Sequence, residues 1–87
     1  MIIVKKFGAD WWSPCRMLKP VMNEIKMAYP SVMFEDIDVD MNESEASKYG
    51  VRSVPTVVIV KDGREVNRLT GLQSKMMYQN VINESLR

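Results

Sequence analysis

The strongest strand signal in this chain is the run Val57-Val58-Ile59-Val60, which leads directly into an Asp62-Gly63 turn. β-Branched residues favour strands, and Asp-Gly between two strand-forming runs is typical of a short hairpin. We therefore expect residues 57–60 to pair with a return strand over residues 65–69. Residues 2–7 form another β-branched run, which predicts a buried strand at the start of the chain.

A helical segment separates that first strand from the next one. Apolar residues recur at spacings of three and four between about residues 15 and 29, which predicts a helix with one apolar face. Pro20 is expected to bend this helix and Pro30 to end it. The positions assigned to the face are Met17, Leu18, Val21, Met22, Ile25 and Ala28. Residues 32–39 alternate as a strand does, and the crossover helix makes that strand parallel to the first.

Two more helices complete the predicted order. A short helix from Asn42 or Glu43 to about residue 49 is ended by Gly50. A last helix is capped by Ser74 and runs to about residue 85. The positions predicted to be buried on it are Met77, Val81, Ile82 and, at its end, Leu86. The order β-α-β-α-β-β-α predicts one α/β domain over residues 1–87.

Composition excludes several classes of protein. A single cysteine allows no intramolecular disulfide, and without histidine there is no Cys–His pair and no zinc site. A net charge of +1 with both signs interspersed gives no reason to expect nucleic acid or an anionic membrane as partner. No apolar run approaches the about 20 residues of a membrane span, and the chain enters a strand without a signal peptide. A soluble cytoplasmic protein without a metal or cofactor is expected, with its eight methionines as core filler.

The segment between the first strand and the first helix reads Asp-Trp-Trp-Ser-Pro-Cys-Arg over residues 10–16. It resembles the active-site segment of the thioredoxin family, Trp-Cys-Gly-Pro-Cys-Lys. In that comparison Trp11, Pro14, Cys15 and Arg16 match the tryptophan, the proline, the second cysteine and the basic residue. The position of the first cysteine, the attacking thiol of the family, holds Trp12.

A second segment supports the resemblance. Residues 48–56, Lys-Tyr-Gly-Val-Arg-Ser-Val-Pro-Thr, resemble the family's Lys-Tyr-Gly-Ile-Arg-Gly-Ile-Pro-Thr. Residues 38–40 and 61–63 resemble Asn-Ile-Asp and Lys-Asn-Gly, and Gly71 lies where the family has a glycine before its last helix. The match covers essentially the whole chain. Full-length members have an extra N-terminal strand and helix that have no counterpart here, and in this the chain resembles short thioredoxins and glutaredoxin-sized proteins. It implies a thioredoxin-like fold, with a four-stranded mixed sheet and helices on both faces.

The resemblance also implies a binding groove. In the family the proline that matches Pro55 is cis, and the backbone of the preceding residue, here Val54, pairs with an extended substrate segment. The residues expected to form the groove are Trp11, Pro14, Val54, Pro55, Thr70, Gly71 and Leu72. The implied partners are protein substrates or a binding partner in this groove, together with a thioredoxin or glutaredoxin reductase system.

Catalysis in the family needs two thiols at the start of a helix. The first attacks a substrate disulfide, and the second resolves the mixed disulfide. Here the first position holds the indole of Trp12, which has no such role, and Cys15 occupies the sheltered resolving position. The resemblance thus implies a protein-disulfide reductase lineage in which this chain is inactive in dithiol turnover.

Two charges are exchanged relative to the family. The family's buried acid, six residues before the first-cysteine position, falls on Lys6, and a family lysine falls on Asp36. One interpretation is a buried pair with reversed polarity, because reversal is tolerated better than the loss of one partner. In the other interpretation both side chains are solvated near strand ends.

Trp12 itself has two interpretations. It partly fills the space left by Gly8, which replaces an aromatic residue of many thioredoxins, or it is an exposed anchor beside Trp11 at a binding surface. Three accounts of function stay open. The chain is a thioredoxin whose first cysteine has been replaced, a non-redox module that binds a partner through the Trp11–Trp12–Pro55 groove, or a protein in which Cys15 alone forms mixed disulfides or a homodimer.

Overall fold

Seven regular elements follow one another in the computed structural model, which describes residues 1–87. They are β1 (Ile2–Gly8), α1 (Ser13–Ala28), β2 (Met33–Asp38), α2 (Glu43–Lys48), β3 (Thr56–Lys61), β4 (Arg64–Thr70) and α3 (Lys75–Ser85). The predicted order β-α-β-α-β-β-α is confirmed. None of the helices is both long enough and apolar enough to cross a membrane.

The strands form one mixed sheet in the order β2-β1-β3-β4. β1 pairs with β2 in parallel, as the crossover helix predicted, and β3 is antiparallel to both β1 and β4. In the β1–β3 register Phe7 lies opposite Thr56, so the last residues of β1 lie beside the segment that leads into β3. The two segments that carry the family resemblance therefore meet at one end of the sheet.

The core has one layer on each face of the sheet, because successive residues of a strand point to opposite sides. On one face α1 and α3 cover Val57 and Ile59, and on the other α2 covers Val58 and Val60. The larger layer holds ten buried residues: Ile2, Val4, Leu18, Met22, Ile25, Val32, Val57, Ile59, Tyr78 and Ile82. Helices on both faces were expected and are observed.

The turn and cap residues act as their types predict. Asp62 and Gly63 both have positive φ, 51° and 87°, which is the requirement of a type I′ hairpin. The Ser74 hydroxyl accepts the Met77 N–H at 3.2 Å and caps α3. Gly50, with φ 63°, ends α2, and the N–H of Val51 bonds back to the Ala46 carbonyl at 2.9 Å.

The buried faces of the two long helices differ from the prediction. α1 begins at Ser13, continues through Pro20 and buries Cys15, Leu18, Met22 and Ile25. Met17 is 59% exposed and Ala28 is also exposed, so these two positions of the predicted apolar face are not buried. α3 begins beside Glu24, whose carboxylate accepts from Lys75 at 2.7 Å. Met17 lies two turns earlier on that side of α1, where α3 does not reach.

On α3 the buried residues are Tyr78, Ile82 and Ser85. Met77 and Leu86 are 42% and 46% exposed, so their predicted burial was wrong, and Val81 is half-buried. The rotation of α3 is set by Tyr78, whose ring is fully buried in the layer that α1 and α3 share. A tyrosine on this face turns Met77, the neighbouring residue, toward solvent.

Lys5 is a buried cation that ties β1 to β2 and α2. Its ammonium donates to Glu35 at 2.7 Å and to Glu45 at 2.6 Å, while its side chain is 11% exposed. Burial alone would lower the pKa of Lys5, but the hydrogen bonds to the two carboxylates outweigh it and raise the pKa above its usual range. The two carboxylates are themselves close together and depend on this charge.

We expect Lys5→Met to lower the free energy of unfolding by about 2 kcal/mol, because it leaves two adjacent carboxylates without their cation. The value is below the full cost of a broken buried pair because Glu35 and Glu45 are 38% and 36% exposed. Urea unfolding measures it, and Lys26→Met, at an exposed lysine without an ion pair, is the control. Because the Lys5 pKa is raised, its contribution is complete below the unfolded-state pKa of about 10.4 and is lost as the pH rises further. Equal stability of the two variants at neutral pH would contradict this role.

Candidate functional site

The loop of residues 9–12 and the first turn of α1 build one side of the site. Trp12 is the N-cap residue of α1, in extended conformation, and its side chain makes no capping hydrogen bond. Its carbonyl accepts the N–H groups of Cys15 and Arg16 at 3.0 and 3.1 Å. Pro14 lies in the first turn, where its missing N–H costs no helical hydrogen bond. The position of the family's attacking thiol is thus at a helix N terminus and carries an indole.

The segments before β3 and after β4 build the other side. The Val54–Pro55 peptide bond is cis, as the resemblance implied. The N–H of Gly71 donates to the Pro55 carbonyl at 2.8 Å, which joins the end of β4 to this segment. Pro55 is buried, whereas Val54 is half-buried and Thr70 is exposed. The predicted groove residues therefore come from three segments that meet at one end of the sheet.

The two tryptophans are exposed at this end. Trp11 and Trp12 are 68% and 45% exposed, and their rings meet edge to face with centroids 6.2 Å apart. The indole N–H of Trp11 donates to Asp40 Oδ2 at 2.7 Å, which fixes the orientation of that ring. A Cβ added at Gly8 would have only Cys15 atoms within 4 Å. No atom of Trp12 lies within 4 Å of that Cβ position, and the exposure of Trp12 fits the anchor interpretation.

Cys15 lies in the first turn of α1 and is 4% exposed. Its sulfur accepts the backbone N–H of Ala9 at 3.5 Å. The chain has no other thiol, so the family's internal disulfide has no second sulfur here. This single buried sulfur can therefore react only with an external molecule that reaches it.

The two exchanged charges lie side by side because β1 and β2 are parallel and Lys6 is in register with Asp36. Lys6 Nζ is 3.3 Å from Asp36 Oδ1, with the Lys6 side chain 9% exposed and that of Asp36 61% exposed. The pair is therefore neither fully buried nor fully solvated, since the lysine is covered by the fold and the aspartate faces solvent.

Tyr78 supports the groove and is not evident from the sequence. Its hydroxyl accepts the Gln73 N–H at 3.0 Å and donates to the Gly71 carbonyl at 3.2 Å, so it holds the loop that follows β4. Burial raises the pKa of Tyr78, against the opposing effect of the hydrogen bond from Gln73. The only sequence signal for Tyr78 was that it directly follows Met77, which was predicted to lie on the buried face of this helix.

A four-stranded mixed sheet with helices on both faces, a cis-proline loop and a cysteine in the first turn of α1 define a protein of the thioredoxin-like fold. The family model for thioredoxin matches residues 1–84. The thioredoxin of Chlamydia pneumoniae is 39% identical over 83 residues, which cover 95% of this chain and 81% of the relative. The chain therefore belongs to the thioredoxin family, whose members are thiol–disulfide oxidoreductases.

Solved structures agree with that assignment. A mutant thioredoxin from Halobacterium salinarum superposes with a TM-score of 0.93 at 37% identity, covering 99% of this chain and 75% of that one. The thioredoxin of Fasciola hepatica gives a TM-score of 0.91 at 38% identity, with 97% and 80% covered.

We expect Tyr78→Phe to lower the free energy of unfolding by about 1–2 kcal/mol and to speed amide exchange at Gln73, because the hydrogen bonds of the hydroxyl with the Gln73 N–H and the Gly71 carbonyl are lost. Denaturant unfolding and hydrogen exchange measure the two effects. Tyr29→Phe is the control, since the Tyr29 hydroxyl donates to Asn83 at an exposed site.

Tyr78→Phe is also expected to change how the stability of the protein depends on pH above about 10. Because the Tyr78 pKa is raised in the fold, the unfolded chain ionises first, near pH 10, and stability falls as the pH rises above about that value. Tyr78→Phe removes this part of the alkaline loss. An unchanged alkaline slope and unchanged exchange at Gln73 would show that the hydroxyl does not support the loop.

Proposed function

We propose that this chain is a thioredoxin of the protein-disulfide reductase lineage that keeps the substrate groove and has lost dithiol turnover. The observation that carries the proposal is Trp12 at the helix N terminus, three residues before a cysteine that is 4% exposed. The proposal is also supported by the cis bond before Pro55 and by the hydrogen bond from the Gly71 N–H to the Pro55 carbonyl, which joins two of the segments expected to form the groove. Protein substrates and a reductase system are the partners of this lineage, and we place the protein in the cytoplasm.

The chemistry explains why turnover is lost. Reduction of a substrate disulfide needs one thiolate to attack a sulfur and a second thiol to release the mixed disulfide, with two electrons leaving the pair. An indole cannot make the first attack. Cys15 lies in the first turn of α1 with its side chain buried, so a substrate disulfide held in the groove meets the ring of Trp12 in place of a sulfur.

A second candidate function is a non-redox binding module, favoured by the tryptophan pair. Trp11 is held by Asp40, and Trp12 packs edge to face against it while 45% exposed. Rigid aromatic side chains of this kind dominate the energetics of many protein interfaces. In this account the groove binds an extended segment of a partner, and Trp12 adds contact area where the family has its nucleophile.

The third account, in which Cys15 forms mixed disulfides or a homodimer, requires the sulfur to reach another protein. Burial of Cys15 opposes it. We expect no reaction of the folded chain with the bulky reagent dithiodipyridine until denaturant is added. Rapid release of one equivalent of thiopyridone from the native chain would restore this account.

We expect Trp12→Cys to restore reduction of insulin disulfides by dithiothreitol, while the original chain stays at the uncatalysed rate. The substitution completes a Cys-Ser-Pro-Cys segment at the helix N terminus, which supplies the attacking thiol. Turbidity of reduced insulin is the readout. Trp12→Ser is the matched control, because it removes the indole without adding a thiol, and Trp12→Cys/Cys15→Ser tests the need for both sulfurs.

An inactive Trp12→Cys variant that is folded and forms its internal disulfide would overturn the redox-lineage proposal and favour the binding module. The binding module then predicts that the original chain binds a defined partner more tightly than Trp12→Ala does, by titration calorimetry. Equal affinity of the two chains would exclude a binding role for Trp12.

A further inference from the structure

β2 lies at one edge of the sheet, and no strand of the chain pairs with its outer side. The Val39 N–H, directly after β2, donates to the Gly8 carbonyl of β1 at 3.0 Å. Backbone groups of alternate residues in a strand point to opposite sides, so those of Glu35 also point to β1, whereas those of Phe34 and Asp36 point outward. Unpaired N–H and C=O groups along an edge are a template for another strand.

An open cleft of about 180 Å³ lies between α1 and this edge. Its apolar lining residues are Val4, Met22 and Phe34. Lys19 and Lys26 of α1 also line it, and both are exposed and without an ion pair, whereas Lys6 is paired with Asp36. A strand added at the edge directs every second side chain to this face. An apolar side chain there gains apolar contacts, whereas a basic one meets two ammonium groups of its own sign.

On the α2 face of the edge, Glu35 has capacity for a second cation. Its side chain is 38% exposed, and its Oε1 accepts from Lys5 at 2.7 Å, while no hydrogen bond reaches Oε2. The Lys5 ammonium is shared with Glu45, so two carboxylates face one positive charge. A basic residue of an added strand, placed beside Glu35, supplies a second positive charge to this pair.

The inner neighbour of β2 shows the same pattern. In the β1–β2 register Val4 lies opposite Phe34 and Lys5 lies opposite Glu35. Val4 is buried in the layer that α1 and α3 cover, whereas Lys5 binds Glu35 on the α2 face. An apolar residue followed by a basic one therefore fits β2 from the inner side, and the outer side presents the same two side chains of β2.

The charges of β2 disfavour a second copy of this strand at the edge. β2 carries three carboxylates, those of Glu35, Asp36 and Asp38. Pairing of two β2 strands would place carboxylates of one copy beside those of the other, and like charges on neighbouring strands are destabilising. The edge is therefore protected against pairing with itself and is complementary to a strand that carries a basic residue.

We propose that the outer edge of β2 binds an extended segment of a partner protein, which adds to the sheet as a fifth strand. The segment alternates apolar and basic residues, with an apolar side chain in the cleft beside Phe34 and a basic side chain beside Glu35. Main-chain hydrogen bonds to Phe34 and Asp36 supply affinity, and the alternation supplies specificity. The site is separate from the predicted groove, because Pro55 precedes β3 and Gly71 follows β4.

The experiment compares two peptides, acetylated and amidated at their ends, that differ at one residue: Thr-Val-Lys-Val-Thr and Thr-Val-Glu-Val-Thr. Each is titrated into the isotope-labelled chain and followed by NMR. We expect the lysine peptide to shift the amide signals of Phe34 and Asp36, to slow their hydrogen exchange, and to bind about three- to tenfold more tightly than the glutamate peptide. Equal affinities, or no change at these amides with either peptide, would overturn the proposal.

Two variants and a modified peptide locate the contacts. Glu35→Gln keeps the size of the side chain without its charge and is expected to abolish the preference for lysine, whereas Glu84→Gln, at an exposed carboxylate of α3, keeps it. Methylation of the backbone nitrogens of the lysine peptide is expected to abolish binding, because it removes the donors of a strand. An unchanged preference in folded Glu35→Gln would refute the contact.

Other occupants and other sites have distinct outcomes. Protection of the β2 amides that rises with protein concentration in the absence of peptide would identify a second copy as the occupant and overturn the proposal. Peptide-induced shifts at the indole signals of Trp11 and Trp12, without shifts in β2, would place the peptide in the groove and also overturn it. The peptide comparison needs no variant and does not depend on the Trp12→Cys result.

Discussion

The antiparallel register between β1 and β3 is the constraint on which the site depends. Phe7 lies opposite Thr56, so the loop that follows β1 and the proline that precedes β3 come together although about forty residues separate them along the chain. The Gly71 N–H then bonds to the Pro55 carbonyl and brings in the end of β4. A one-residue slip of this register would send every core side chain of β3 to the opposite face, so core burial fixes the site geometry as well.

The order of elements could be predicted because each one carries local signals. The Asp62-Gly63 turn needs positive φ at both positions, and Ser74 offers its hydroxyl to a free N–H, so both are decided within a few residues. The exposure of Met17 and Met77 could not be predicted in this way. Periodicity defines an apolar stripe, but the part of it that is covered depends on where the neighbouring helix begins, which is a tertiary property.

The site shows the same division between local and tertiary information. The resemblance correctly implied the cis bond at Pro55, because that segment is identical to the family's at six of nine positions, with two Val-for-Ile replacements. It left Lys6 and Asp36 undecided, since the outcome depends on which of the two strands lies at the sheet edge. β2 is an edge strand and β1 is central, so Asp36 remains in solvent while Lys6 is covered. Tyr78 was missed because its hydroxyl partners come from a loop whose path is not encoded by a motif.

Lys5 and Lys6 are adjacent residues of β1 whose ammonium groups have different surroundings. Their side chains point to opposite faces of the sheet. On the α2 face Lys5 is satisfied by Glu35 and Glu45, which makes it a structural tie between three elements. On the α1 face Lys6 has one imperfectly aligned carboxylate and an open cavity that it shares with Cys15. The ammonium of Lys6 is paired with this one carboxylate, whereas that of Lys5 has two carboxylate acceptors. The exposed tryptophans lie at the end of the sheet where the groove is predicted, whereas the one sulfur of the chain is buried in the first turn of α1.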